Sequence, residues 1–253
     1  MTLQELFKNK DHDLLNIYFS AGFPHIDSMA EILDSLEKSG ADMVEIGIPY
    51  SDPLSDGPTI QKSNSIALKN GISLELIFQQ LENSSSSLPK IMMGYYNSVL
   101  QFGMKKFCAR CAQTGVSGVI LPDLPIEIWE QQYKSLFEEF GLSAIFLITP
   151  ETSEERIRMI DQKTTSFIYA VSSAGTTGTK KGIFGAEDYL KRIQSLQLTN
   201  PVLVGFNIGS PEDFQFANKF ANGGIIGSAF INHIKESTDL TKDINNFIHY
   251  IKS

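Results

Sequence analysis

From residue 16 onward the chain alternates short apolar segments with stretches of helical periodicity, eight times over and without a break in composition. Strands are expected at 16–21, 43–48, 90–95, 118–121, 143–148, 166–171, 201–204 and 223–227, with helices between them and a further helix at 2–9. Strands joined by helical crossovers pair in parallel, and the crossovers are right-handed. Eight such units within 253 residues fit an α/β fold, a single (β/α)8 TIM barrel spanning 1–253. It would carry an extra N-terminal helix and a short helix at 228–236 after strand eight. A doubly wound open sheet is the competing arrangement, but the first strand-to-helix turn, SAGFPHIDS, lacks the G-x-G-x-x-G fingerprint that would favour it.

The second strand is out of keeping with its neighbours. Residues 42–60, DMVEIGIPYSDPLSDGPTI, open as an apolar strand that carries Glu45 among Met43, Val44, Ile46 and Ile48. Strand side chains alternate faces, so Glu45 shares a side with Met43 and Gly47 and points to one surface only. Pro49, Pro53, Gly57 and Pro58 then end the strand and stiffen a loop that presents Asp52 and Asp56. Burial in an apolar strand raises the pKa of a carboxyl, whereas Asp56 on a polar loop is expected to stay ionised. Two carboxyls in contrasting surroundings supply one acid/base and one fixed anion, which makes Glu45 and Asp56 candidate catalytic residues. The plainer readings are a strand glutamate satisfying a neighbouring amide or arginine, and an Asp-Gly turn residue.

In a barrel, function sits on the loops that follow the strands. Three late loops are rich in glycine: GTTG at 175–178, GFNIG at 205–209 and GS at 227–228. Glycine lets the backbone approach a ligand, and a helix opened by Ser228 would aim unpaired N–H groups at an anion. Together, after strands six to eight, these loops form a candidate phosphate site, although any one of them could merely end its strand. Tyr18 in strand one and Tyr169 in strand six either line the barrel mouth or pack within it.

Several functions are disfavoured. The formal charge of −8 argues against nucleic acid and anionic membrane as partners, while leaving room for a small phosphorylated substrate held by backbone amides. No apolar run is long enough for a membrane span, and MTLQELFKNKDHDLLN has no signal-peptide core, so a cytoplasmic location is expected. Cys108 and Cys111 form a C-x-x-C on a helical pattern with no second pair to complete a zinc site, so structural thiols are expected. The four histidines suggest no metal cluster, and no G-x-S-x-G turn points to a nucleophilic serine.

The stretch VEIGIPYSDPLSDGPTIQ at 44–61 closely resembles the signature of the tryptophan synthase α-chain family. GYYN at 94–97, LPDLP at 121–125, YAVSSAGTTG at 169–178, GFNI at 205–208 and IGSA at 226–229 follow in family order. The resemblance covers essentially the whole chain. It implies a lyase that splits indole-3-glycerol phosphate into indole and glyceraldehyde 3-phosphate, without a cofactor in this chain. By position Glu45 matches the family's acid/base and Asp56 the carboxylate near the indole nitrogen. Tyr169 matches an active-site tyrosine and Tyr18 a ring-pocket residue. Thr177 and Gly178 match the lid after strand six, and Gly178, Gly227 and Ser228 match phosphate contacts. Asn207 stands where many members carry a phosphate-binding glycine, and Ser173 where an arginine is common. Asparagine tolerates a left-handed backbone, which would preserve the contact at 207. The implied partner is the tryptophan synthase β chain, which holds pyridoxal phosphate, in an αββα heterotetramer. Loop 49–58 and the lid at 173–186 would face it. A stand-alone lyase that releases free indole, and a weak subunit kept to activate the β chain, are the alternatives.

Overall fold

The computed structural model describes residues 1–172 and 182–253. Its strands are β1 (Leu14–Ser20), β2 (Met43–Gly47), β3 (Lys90–Met93), β4 (Val116–Ile120), β5 (Ser143–Ala144), β6 (Leu147–Ile148), β7 (Ile168–Val171), β8 (Val202–Gly205) and β9 (Gly223–Ile226). All pairings are parallel, in the order β5-β4-β3-β2-β1-β9-β8-β7-β6. The two ends of that order, β5 and β6, are separated in the chain by Ile145 and Phe146 alone. They are two halves of one stave, so the sheet closes on itself as an eight-stave (β/α)8 barrel.

The expected continuous strand at 143–148 is therefore split. Its first half pairs with β4 and its second with β7, and the change of partner falls between them. Ile145 N–H donates to Val119 C=O and Tyr169 N–H to Phe146 C=O, each at 3.0 Å, so the intervening backbone stays hydrogen-bonded. Residues 96–102, not expected as a helix, form one from Tyr96 to Phe102, and Gly103 at φ 95° turns the chain into the next helix, Met104–Gln113. The expected helix at 126–140 contains a π turn at Trp129–Tyr133.

Alternation along the strands divides the core in two. Leu15, Ile17, Phe19, Val44 and Ile46 face outward into a layer shared with the surrounding helices. Leu14, Met43, Ile91, Ile120, Leu203 and Ile225 face inward, where Leu3 and Leu6 of the helix Leu3–Asn9 join them. That helix begins with a capping box between Thr2 and Glu5, and it closes the N-terminal end of the barrel. Leu3 reaches the interior because position 118 is glycine: a Cβ there would fall 2.6 Å from Leu3 Cδ1. Burial of Leu3 contributes about 2 kcal/mol by its apolar area.

Cys108 and Cys111 are free, buried thiols on the inner face of Met104–Gln113, and burial pushes the Cys108 pKa up to about 12. They are inert packing residues, as their helical setting suggested. Among the described residues no group of His, Cys, Asp and Glu could hold a metal ion, and no helix is long and apolar enough to cross a membrane.

Candidate active site

The strands deliver their C-terminal ends to a cavity of about 440 Å³. Tyr18, Asp56, Tyr169, Asn207, Gly227 and Ser228 all line it, so six of the expected site residues meet on one surface. Thr177, Gly178 and Ser173, with the GTTG loop and most of the expected lid, lie outside the described residues.

Glu45 sits at the centre of β2, opposite Tyr18 on β1 and Ile91 on β3, and is fully buried. Its Oε1 accepts a hydrogen bond from Asn16 Nδ2 at 2.6 Å. Asn16 lies opposite Met43, one inward-facing position nearer the N-terminal end. The carboxyl therefore leans back along the barrel, away from the mouth, and does not line the cavity. Burial pushes its pKa up to about 8, against the opposing effect of the Asn16 bond, so Glu45 is a neutral acid at pH 7.

Asp56 is carried by the loop between β2 and the helix Pro58–Lys69. Asp56 N–H donates to Pro53 C=O at 3.1 Å, and Ser55 N–H donates to the Tyr95 hydroxyl at 3.0 Å, which fixes the turn. Asn64 Nδ2 donates to the Asp56 carboxylate at 3.4 Å. The Asn64 amide is oriented in turn by Ser20, whose hydroxyl donates to Asn64 Oδ1 at 3.0 Å and meets Ser63 Oγ at 2.7 Å. This loop is less polar than its sequence suggests: Asp56 is half-buried, and burial lifts its pKa to about 6, with Asn64 pulling it down. Above that pH it is a fixed anion at the cavity wall.

Tyr18 and Tyr169 each lie over a glycine of a neighbouring strand. A Cβ at Gly47 would overlap the hydroxyl and ring of Tyr18, and one at Gly205 would overlap those of Tyr169. Burial raises both phenols well above their ordinary pKa, and Asp56 and Glu45 add to the shift, so both keep their protons. Between them Met93, Phe206 and Ile225 give the cavity an apolar middle. Reasoning from sequence missed these three, and also Asn16 and Asn64. The period-2 pattern that singled out Glu45 also places Asn16 on the inward face of β1, and that signal was available.

At the far end are the loops after β8 and β9. Phe206 and Asn207 both adopt left-handed backbone, at φ 71° and 58°, which Asn207 tolerates as expected. Ser172 Oγ donates to Phe206 C=O at 2.8 Å and accepts from Asn207 Nδ2 at 3.4 Å, pinning the loop to the end of β7. The carboxylate of Asp213 also lines the cavity, but it accepts the Gly209 and Ser210 N–H groups at 3.0 and 3.2 Å. Gly227 is the N-cap of the helix Ser228–Ile234, whose first residues face the cavity. The site thus has the Asp56 carboxylate at its wall with Glu45 buried below, the loops after β8 and β9 at the far end, and apolar side chains between.

Comparison with known proteins shows the family. Residues 4–251 match the family described as tryptophan synthase alpha chain. The tryptophan synthase alpha chain of Christiangramia forsetii is 49% identical over 248 residues, 96% of each chain. That of Flavobacterium johnsoniae is 51% identical over 232 residues, 90% of this chain and 91% of the relative. Among solved structures, the tryptophan synthase A-subunit of Pyrococcus furiosus superposes with a TM-score of 0.86 at 34% identity, covering 96% of this chain and 98% of that one. A chain of tryptophan synthase from M. tuberculosis gives 0.86 at 28% identity, covering 99% and 97%. The chain belongs to the tryptophan synthase alpha chain family.

Proposed function

We propose that this chain cleaves indole-3-glycerol phosphate with Glu45 as the acid/base and Asp56 as the anion that steadies the indole nitrogen. The family's reaction is a lyase reaction: the bond between the ring carbon and the glycerol chain breaks, giving indole and glyceraldehyde 3-phosphate. In net terms one proton moves from a side-chain hydroxyl to the ring carbon. A carboxyl that starts protonated can make that transfer in two steps, first giving its proton to the carbon and then taking the hydroxyl proton as the bond breaks. It ends as it began, so no cofactor is consumed.

What carries this reading is the contrast in setting of the two carboxyls: Glu45 is fully buried on β2, which pushes its pKa up to about 8, while Asp56 stands half-buried on the cavity wall, which lifts its own only to about 6. Protonating the ring carbon places positive charge on the ring nitrogen, where an ionised Asp56 is stabilising and a protonated one is not. Tyr18, Tyr169 and Phe206 would hold the ring, and the loops bearing Asn207, Gly227 and Ser228 would hold the phosphate. Glu45 reaches the ring carbon by rotating from Asn16 towards the mouth.

In this reading residues 1–253 act as one cytoplasmic domain and pair with a β chain, which holds pyridoxal phosphate and receives indole, in an αββα assembly. The loop after β2 supports that docking. Leu54 at its tip is 89% exposed, and Tyr50 stacks on Tyr95 at 5.0 Å beneath it. The test is to incubate the purified chain with indole-3-glycerol phosphate, alone and with its cognate β chain. Equal amounts of indole and glyceraldehyde 3-phosphate are expected, with faster lysis in the complex. Failure to form either product would refute the activity, and failure of the β chain to bind or accelerate would refute the assembly.

A further inference from the structure

Below the cavity, Asn16 and Glu45 form a buried pair with two oxygens left over. Asn16 Nδ2 donates to Glu45 Oε1 at 2.6 Å, while Asn16 Oδ1 and Glu45 Oε2 are buried without a hydrogen-bond partner among the described residues. Both residues are fully buried. Buried polar atoms are nearly always partnered, and an ionised Oε2 in this place would be a charge without solvation. The amide has donors only on its nitrogen, and a carboxylate has none. One proton on Oε2 removes that charge.

The geometry points to Asn16 as a positioning residue for the acid/base: in the free enzyme its amide ties down Oε1, so the proton rests on Oε2, the oxygen that rotation towards the mouth then presents to the ring carbon. The inference rests on the role proposed for Glu45 above. Asn16 does not line the cavity, so it acts through Glu45 and not on substrate. The titratable groups that sense Glu45 are Tyr18 from β1 and Tyr169 from β7, whose phenols are raised first by burial and further by Glu45 and Asp56. β3 contributes apolar Ile91. None of these favours an ionised Glu45, so the Asn16 N–H is the one described contact that does. A hydrogen bond to a carboxylate is stronger than one to a neutral acid. Asn16 therefore loosens the proton that burial would otherwise hold too tightly to give away.

The test compares wild type, Asn16→Val, which keeps the bulk without the donor, and Asn16→Asp, which keeps the shape and replaces the donor by an acceptor. The pH dependence of kcat/KM for indole release reports ionisations of the free enzyme, the state described here. In both variants the alkaline limb is expected to move up by about one pH unit, roughly tenfold in proton concentration. A merely structural role would lower the rate at every pH and leave the limb in place, and an unmoved limb in folded variants overturns the inference. A second measurement does not depend on the Asn16 variants folding. The infrared spectrum of the wild type at neutral pH should show the carbonyl band of a protonated carboxyl that disappears in Glu45→Gln, and its absence overturns the inference too. An inactive Glu45→Gln with an unmoved limb in the Asn16 variants sinks this inference alone. A fully active Glu45→Gln sinks the role of Glu45 and this inference with it.

Discussion

Tyr169 lies across the inward face of Gly205 on the adjacent strand and fills the space that a side chain at 205 would need. The same relation holds between Tyr18 and Gly47, so the two rings that frame the cavity each depend on a glycine next door. Gly205→Ala is expected to force the Tyr169 ring aside, costing about 1–3 kcal/mol of stability and lowering lysis. Tyr169→Leu in the same chain should relieve the clash. A double-mutant cycle in denaturant should show the pair costing less than the sum of the singles, and strict additivity would contradict the contact.

Activity should follow a bell-shaped pH dependence. Glu45 must be protonated to deliver its proton, so kcat/KM falls as pH rises through about 8. Asp56 must be ionised to steady positive charge, so kcat/KM also falls as pH drops through about 6. Rates of indole release between pH 5 and 9 check both limbs, and Asp56→Asn should remove the acid limb while lowering the plateau by roughly 10²–10³-fold.

Glu45 should weaken the fold at high pH. Its folded pKa of about 8 lies above its ordinary 4.5, so the native state keeps a proton that the unfolded chain gives up. The resulting stability is complete below pH 4.5, declines as pH rises and is lost by about 8. Glu45→Gln carries no such proton. Its melting temperature should exceed that of wild type by more at pH 9 than at pH 5, each kcal/mol being worth roughly 2–4 °C in a chain of this size. An equal difference at both values would show that the glutamate is not raised.

Much of this was legible in the sequence, because barrel strands have a simple grammar. Alternation of strand and helix gave the topology, and a carboxyl in an apolar strand followed by a proline-stiffened acidic loop marked Glu45 and Asp56. What stayed hidden depends on contacts between distant segments. Alternation alone puts Asn16 on the inward face of β1, but its contact with Glu45 emerges only when β1 and β2 are placed in register. The hydrogen bond that Asp56 accepts comes from Asn64, itself oriented by Ser20, and its own loop foretells neither. The split at 145–146 follows from closure of the ring, a property of all eight staves and of none singly. Phe206 took a left-handed backbone that its residue type disfavours, because Ser172 holds its carbonyl.

The central claim is that the buried carboxyl of Glu45 moves the proton, and steady-state indole release from indole-3-glycerol phosphate by Glu45→Gln tests it most directly. Glutamine keeps the size of the side chain and can still meet Asn16, but it cannot give up and regain a proton. The predicted result is a kcat lowered by about 10²–10⁴-fold with KM changed only slightly. A Glu45→Gln enzyme that releases indole at the wild-type rate would contradict the account.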